Sequence, residues 1–382
     1  MSRFHSHIKT AKTIIESYKG EQPFAAHIKS FFAADKKYGS GDRRKISHYC
    51  YCFFRIRHLF PQEDMEHVLL KGLFLTGQEV NEGFPDDWKK RVGESATDKL
   101  VYLGKSPEGL FPLLHEVSSK LNRKQFCLSL LEQPRLFLRI RPGKKERVMQ
   151  SLVDAGCQPV SCGEDCLSLP NGSSLDKVIQ LDKDAVIQDL NSQRVLDELE
   201  RLPLTGPLHV WDCCAGSGGK SILLFDKLRA KNQLRITVTD IRETILKNLR
   251  LRLSRSGVPV HSCLVKDVSA AVPFKESFHL IIGDLPCSGS GTWGRTPEQM
   301  SFFTEEQLIE FSEKQKKIAE NALTCLIPGG LFFYITCSVF HRENEEVVAY
   351  LKEKHSLQLL NECYHVGYEK QADTLYVAVL RR

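Results

Sequence analysis

Leu208-His209-Val210-Trp211-Asp212-Cys213-Cys214-Ala215-Gly216-Ser217-Gly218-Gly219-Lys220 is the stretch that decides the fold. It reads as a short apolar strand, a glycine turn and the start of a helix. Glycines at that junction let the backbone approach a ligand closely and aim helix N–H groups at an anionic part of it. The turn is neither a Walker loop nor a full dinucleotide fingerprint, because the required spacings are missing. Outward from it, strand, turn and helix repeat from about residue 201, with strands predicted at 208–212, 235–239, 261–265, 279–283, 331–336 and 374–380. That alternation predicts an α/β fold with an open, mostly parallel, Rossmann-like sheet.

Acids and thiols recur at the strand ends. Asp240 closes Arg235–Thr239 about twenty residues beyond the glycines, where an acid accepts hydrogen bonds from both ribose hydroxyls. Asp267 follows the third strand, in position to meet an adenine amino group. A capping or surface aspartate is the alternative for each taken singly. Successive strand-end acids after a glycine turn describe an adenosine-bearing cofactor better, and without pyrophosphate geometry S-adenosylmethionine suits the layout more than NAD. The run Leu280-Ile281-Ile282-Gly283 ends in Asp284, followed by Leu285-Pro286-Cys287-Ser288-Gly289-Ser290-Gly291, and Cys337 ends Leu331–Thr336. One acid and two thiols thus fall on the rim where open α/β sheets place ligands.

The 382 residues suffice for two or three domains, and 42% hydrophobic with 26% charged content is that of an ordinary globular protein. MSRFHSHIKTAKTII lacks the apolar core of a signal peptide and no later run could span a bilayer, so a cytoplasmic chain with no membrane partner is expected. Its 13 cysteines are then expected to be reduced. Cys157, Cys162 and Cys166 fit no standard zinc spacing, so no metal is expected. The net charge of +6 is uneven: residues 1–60 carry 12 Lys/Arg against 4 Asp/Glu, the remainder 41 against 43. Such clustering is either a nucleic-acid footprint or a solvated helix surface.

Residues 1–125 read as helical. Phe24, Ile28, Phe31 and Phe32 fall at helix spacing, Asp42 is a candidate N-cap, and a second helix is predicted over Arg43–Leu59 with Arg44, Arg55 and Arg57 exposed. Residues 77–112 show only loops and short helices. Residues 126–200 read as a small α+β module, opened by the alternating Arg135-Leu136-Phe137-Leu138-Arg139-Ile140-Arg141. Residues 201–382 form the sheet domain.

CCAGSGGKS (213–221), DLPCSGSGTWGRTPE (284–298) and TCSVFHRENEE (336–346) together resemble the RNA 5-methylcytosine methyltransferases of the RsmB/Nol/Sun family. PRLFLRIRP (134–142) and IQDLNSQRV (187–195) are similar to that family's ferredoxin-like RNA-contacting module. YKGEQPF (18–24) and GSGDRRKIS (39–47) are similar to the NusB-like helical extension of its bacterial ribosomal-RNA-modifying members. The resemblance implies that Cys214, Ala215, Gly216, Ser217, Gly218, Gly219 and Lys220 hold the methionine end of S-adenosylmethionine. Asp240 then takes the ribose, Asp267 the adenine, and Asp284 faces both cofactor and base. Cys337 is the nucleophile and Cys287 assists its release. Gly216-Ser217 replaces the family's usual Ala-Pro, and Ile245 stands where an arginine is frequent, with Arg242 a candidate substitute.

The implied chemistry is coherent with the residue types. Cytosine carbon 5 is a poor nucleophile until a thiolate adds to carbon 6, which is covalent catalysis in two steps. An accessible, ionised Cys337 is required, and a desolvated, protonated Asp284 is expected to bond ring nitrogen 3. The base must be single-stranded or flipped. Arg135, Arg139 and Arg141, the N-terminal cations and the stretch Lys120–Lys124 are expected to hold the RNA backbone, and Trp293–Glu298 to form a lip near the base. Ribosomal RNA is the favoured partner of a monomeric enzyme, with transfer RNA the alternative. A non-catalytic RNA-binding or assembly factor is the reading from a different class. An amino-group methyltransferase would use an Asp-Pro-Pro-aromatic loop, which Leu285-Pro286-Cys287 does not offer.

Overall fold

A computed structural model describes residues 2–270, 274 and 276–382. Two compact units emerge: Met1–Gln133 with Trp293–Thr304, and Pro134–Thr292 with Glu305–Arg382.

The first unit is helical, with α1 (Arg3–Ser17), α2 (Phe24–Ala34), α3 (Ser40–Ile56), α4 (Met65–Thr76), α5 (Asp86–Arg91), α6 (Ala96–Tyr102) and α7 (Arg123–Ser129). Its core forms because Ile8, Ala11 and Ile15 recur on one face of α1, as do Ile46, Cys50, Phe53 and Phe54 on α3. Helix α3 begins at Ser40 without a side-chain cap. Asp42 lies in its first turn, where it accepts from Arg3 and His7, which corrects the expected N-cap. The end of the predicted second helix is a separate 3₁₀ turn, Arg57–Leu59. Arg55, expected at the surface, is buried: its guanidinium donates to Leu130 O, to Gln133 Oε1 (3.1 Å) and to Gly294 O (2.9 Å). Fully buried Trp293 lies 5.3 Å from Phe111 and 5.2 Å from Phe303 by ring centroid, so its side chain is core of this unit, while Gly294, Arg295 and Thr296 are half-buried.

The second unit opens with β1 (Leu136–Ile140), α8 (Lys145–Asp154), β2 (Val160–Ser161), β3 (Cys166–Leu169) and β4 (Ala185–Ile187). These strands make an antiparallel sheet of order β2-β3-β1-β4. The chain continues through β5 (Gly206–Asp212), α9 (Gly219–Leu228), β6 (Asn232–Asp240), α10 (Glu243–Arg255), β7 (Val260–Val265) and β8 (Phe278–Asp284). After α11 (Gln299–Phe302), which belongs to the first unit, come α12 (Glu305–Thr324), β9 (Leu326–Thr336), α13 (Glu345–His355), β10 (Gln358–His365) and β11 (Leu375–Arg381).

The seven-stranded sheet has the order β10-β11-β9-β8-β5-β6-β7. Strands β5 to β9 run parallel and β11 is antiparallel to both neighbours. Period-two alternation sorts its side chains onto two buried faces, as a doubly covered sheet requires. Leu208, Val210, Phe333 and Val377 pack with Ile222 and Leu249, whereas Trp211, Phe332 and Tyr376 pack with Ile318 and Val348. The chain grows outward from β5 to β7 and then returns to place β8 on the other side of β5, which makes the C-terminal ends of β5 and β8 the switch point. Among the described residues no helix is long and apolar enough to cross a membrane.

Arg139 and Arg141, expected on an RNA-facing surface, are only 5% and 6% exposed. Both grip Asp226 of α9, at 2.8 Å and 2.7 Å, and Arg139 Nε also donates to Gln188 Oε1. A carboxylate shared by two buried guanidiniums ties the small sheet to the large one. Asp226→Ala should therefore lower the unfolding free energy by about 3–5 kcal/mol, since it leaves buried cations unpaired; urea denaturation of the variant beside the parent measures it.

Candidate active site

The turn after β5 is strapped to β6. Trp211 Nε1 donates to Thr239 Oγ1 (3.0 Å), Thr239 Oγ1 donates to Cys213 O (2.8 Å), and Ala215 N donates to Thr239 O (2.9 Å). Gly216 N donates to Asp240 Oδ2 (3.0 Å), so the turn and the acid of β6 hold each other. Gly218 has φ +84°, and a Cβ there would stand 2.2 Å from Leu249 Cδ1. Only glycine lets α9 start so close to α10.

Two cavities open on this rim. The first, about 390 Å³, is lined among others by Cys214, Gly216, Asp240, Ile241, Arg242, Lys266, Asp267 and Asp284. The second, about 280 Å³, is lined among others by Gln188, Asp212, Ala215, Gly216, Ser217, Gly219, Lys220, Asp284, Thr292, Cys337 and Asp373. Gly216 and Asp284 line both.

In the first cavity Asp240 is buried, and both its oxygens accept from Arg242, at 2.9 Å from Nε and 3.0 Å from Nη2. Burial pushes this carboxyl up, yet the Arg242 hydrogen bonds and charge outweigh it and hold Asp240 below the ordinary range. Asp267 is exposed. Its Oδ1 accepts from Ser269 Oγ (2.6 Å) and Ser269 N (2.9 Å), and that hydrogen bonding lowers its pKa.

In the second cavity Lys220 Nζ donates to Asp284 Oδ2 at 2.6 Å. Burial disfavours the ammonium, but Asp284 above all, then Cys337 and Asp212, raise its pKa on balance. The Asp284 side chain is 35% exposed and ion-paired with Lys220, so it is not desolvated as expected. Cys337 Sγ lies 3.4 Å from Cys287 Sγ. That contact first, and burial second, push the Cys287 thiol well up, so Cys287 stays protonated at neutral pH.

The loop bearing Cys287 is pinned from below. Buried Glu343 accepts from Ser288 N (2.7 Å) and Ser288 Oγ (2.5 Å), while Gln315 Nε2 donates to Pro286 O (3.0 Å). Gly291 stitches the two thiol loops: its N–H donates to Cys337 O (2.9 Å) and its carbonyl accepts from Thr374 N (3.0 Å). A Cβ at Gly291 would stand 2.0 Å from Thr374 O, so no larger residue fits.

The structure thus brings Cys214, Gly216, Asp240, Asp267 and Asp284 to one cavity, and Ala215, Ser217, Gly219, Lys220 and Cys337 to its neighbour. Cys287 reaches the second through Cys337, and Gly218 lines neither. Asp212, Asp373 and Glu343 were missed as site residues. Asp212 carried a readable signal, as a strand-end acid directly before the glycine turn, and Glu343 lies within the quoted TCSVFHRENEE, whereas Asp373 comes from the far end of the chain without one.

Residues 201–377 match the family model of the 16S rRNA methyltransferase RsmB/F. Ribosomal RNA small subunit methyltransferase B of Xylella fastidiosa (strain 9a5c) is 29% identical over 230 residues, covering 58% of this chain and 52% of that protein. Ribosomal RNA small subunit methyltransferase F of Salmonella agona (strain SL483) is 30% identical over 153 residues, covering 39% and 31%. The chain therefore spans about half or less of the length of these relatives. Among solved structures, PH0851 matches with TM-score 0.74 and 19% identity over 100% of both chains. NSun6 from Pyrococcus horikoshii with SFG matches with TM-score 0.58 and 15% identity over 68% of this chain and 94% of that one. These two likenesses show the fold.

Arg242→Ala removes the guanidinium that holds Asp240 low. The Asp240 carboxyl should then titrate at higher pH than in the parent, as carbon-detected NMR of the labelled side chain would record.

Proposed function

We infer that this protein, whose residues 201–377 match the RsmB/F methyltransferase family, is an S-adenosylmethionine-dependent RNA (cytosine-5)-methyltransferase acting on ribosomal RNA. The observation that carries the reading is Cys337, which lines a cavity sharing Gly216 and Asp284 with the acid-lined cavity beside it and touches a second thiol at 3.4 Å. The names of the curated relatives support a ribosomal substrate, and SFG, an S-adenosylmethionine analogue, in the NSun6 structure supports the cofactor.

The cofactor supplies a methyl group on a sulfonium, for which Asp240, Asp267 and the Cys214–Lys220 turn form the cradle. The rest falls to the protein. Cys337 as thiolate adds to carbon 6 of the cytosine, and the ring electrons displaced towards carbon 5 take the methyl group. Asp284 hydrogen-bonds the ring edge, and Lys220 supplies positive charge beside the thiolate. A base then removes the carbon 5 proton, the double bond reforms and the Cys337 sulfur departs as thiolate. Cys287, protonated at neutral pH and within contact distance, steadies that departing thiolate through its S–H and keeps its own proton.

The division into 1–125, 126–200 and 201–382 belongs to the same reading. The first segment is a NusB-like helical domain and the second a ferredoxin-like module, supported by the β2-β3-β1-β4 order with α8 between β1 and β2. Exposed Lys29, Lys36, Lys37, Arg44 and Lys45 of the helical segment are the cations offered to RNA, in place of buried Arg139 and Arg141.

Two variants test the mechanism. Cys337→Ala should abolish transfer from labelled S-adenosylmethionine to ribosomal RNA while calorimetric cofactor affinity stays near the parent's. Cys287→Ala should instead accumulate an enzyme–RNA adduct stable on denaturing gels. Full turnover by Cys337→Ala, or bisulfite sequencing that finds every ribosomal cytosine unchanged in cells lacking the protein, would contradict the assignment.

A further inference from the structure

Among the described residues, one buried carboxylate oxygen in the cavity of Cys337 is without a partner. Asp212 ends β5 and is almost wholly buried; its Oδ2 accepts from Ser221 Oγ at 2.5 Å, while Oδ1 has no hydrogen-bond partner among the described residues. Buried carboxylate oxygens are seldom left so, because the group has given up water without replacement. In the same cavity Lys220 Nζ is committed to Asp284 Oδ2. That pair conflicts with the reaction. Asp284 is needed at the edge of the pyrimidine ring, and its Oδ2 is already occupied by the ammonium. The ammonium must leave Asp284 when the base arrives, and a buried cation needs another acceptor at once.

We propose that Asp212 is a positioning residue that receives the Lys220 ammonium on Oδ1 when the target base takes Asp284. The proposal rests on the cytosine-5 reading and deepens it. Lysine suits the exchange, as a compact charge on a flexible stem. No covalent bond forms or breaks; one ammonium changes acceptor, and Asp284 is left with both oxygens for the base. The charges acting on Asp212 are Lys220 of α9, Asp284 of β8 and Asp240 of β6, beside the Ser221 hydroxyl and the thiol of Cys213. Burial pushes Asp212 up to about 7, against the Ser221 hydrogen bond that lowers it. The anion that can accept the ammonium therefore forms as pH rises through that value, and activity should rise with it.

The test measures kcat for methyl transfer to RNA between about pH 6 and about pH 9, with cofactor affinity read by calorimetry. Asp212→Asn keeps shape but not charge: kcat should fall about tenfold or more with cofactor affinity unchanged, and the acid limb near neutrality should flatten. Ser221→Ala should move that limb to higher pH and recover parental kcat above it, which a packing role would not produce. If both variants keep the parental limb, Asp212 has no such role and the methyltransferase reading stands. A parent that makes no 5-methylcytosine overturns both.

Discussion

The parallel register of β8 against β9 is the constraint on which the site depends. Asp284 lies opposite Ile335, and Leu285 N donates to Ile335 O at 3.0 Å. From that pairing each strand needs only two or three further residues to reach its cysteine, so Cys287 and Cys337 arrive at the same height on the rim. A slip of one residue would reverse the face of every side chain along the strand. The apolar alternation of Leu331 to Ile335 forbids it, because Phe332 and Tyr334 fill one core and Phe333 and Ile335 the other. The chemistry at the rim is thus registered by hydrophobic packing some distance below it.

Charge is used sparingly around this frame. Asp226 holds two arginines and Asp240 holds Arg242. Each pair joins segments far apart in sequence or fixes a turn. The only cations lining the Cys337 cavity, among the described residues, are Lys220 and Arg252, and each has an acidic partner. The site is electrostatically wired before any ligand enters, and binding must proceed by exchanging partners.

Much of this was legible in the sequence. Every predicted strand of the parallel sheet is present, because runs such as Leu280–Gly283 are apolar on both faces and end in turn residues. Strand β10 escaped because it lies at the sheet edge, is half-buried along its length and is bulged between Leu359 and Asn361, which erases a clean period of two. Candidate site residues read at strand ends were placed at the rim, since strand ends share one edge of a parallel sheet. What a linear reading could not supply was partnership. The alternation of Arg135 to Arg141 looks the same whether its cations face solvent or Asp226, and Arg55 gives no sign that backbone carbonyls await it. Asp284 likewise reads as a lone acid until Lys220 is folded against it.

The excursion of Trp293–Thr304 out of the second unit and into the first bears on how the protein is made. A chain synthesised from its N-terminus exposes α1–α7 long before Trp293 is available to cover Phe111, or Gly294 to accept from Arg55. The helical unit must wait, with part of its interior unfilled, while the whole of the small sheet and half of the large one emerge. Neither unit can be cut out as one uninterrupted segment of polypeptide. Their maturation is interleaved, and a chain cut short before Trp293 would leave both units unfinished.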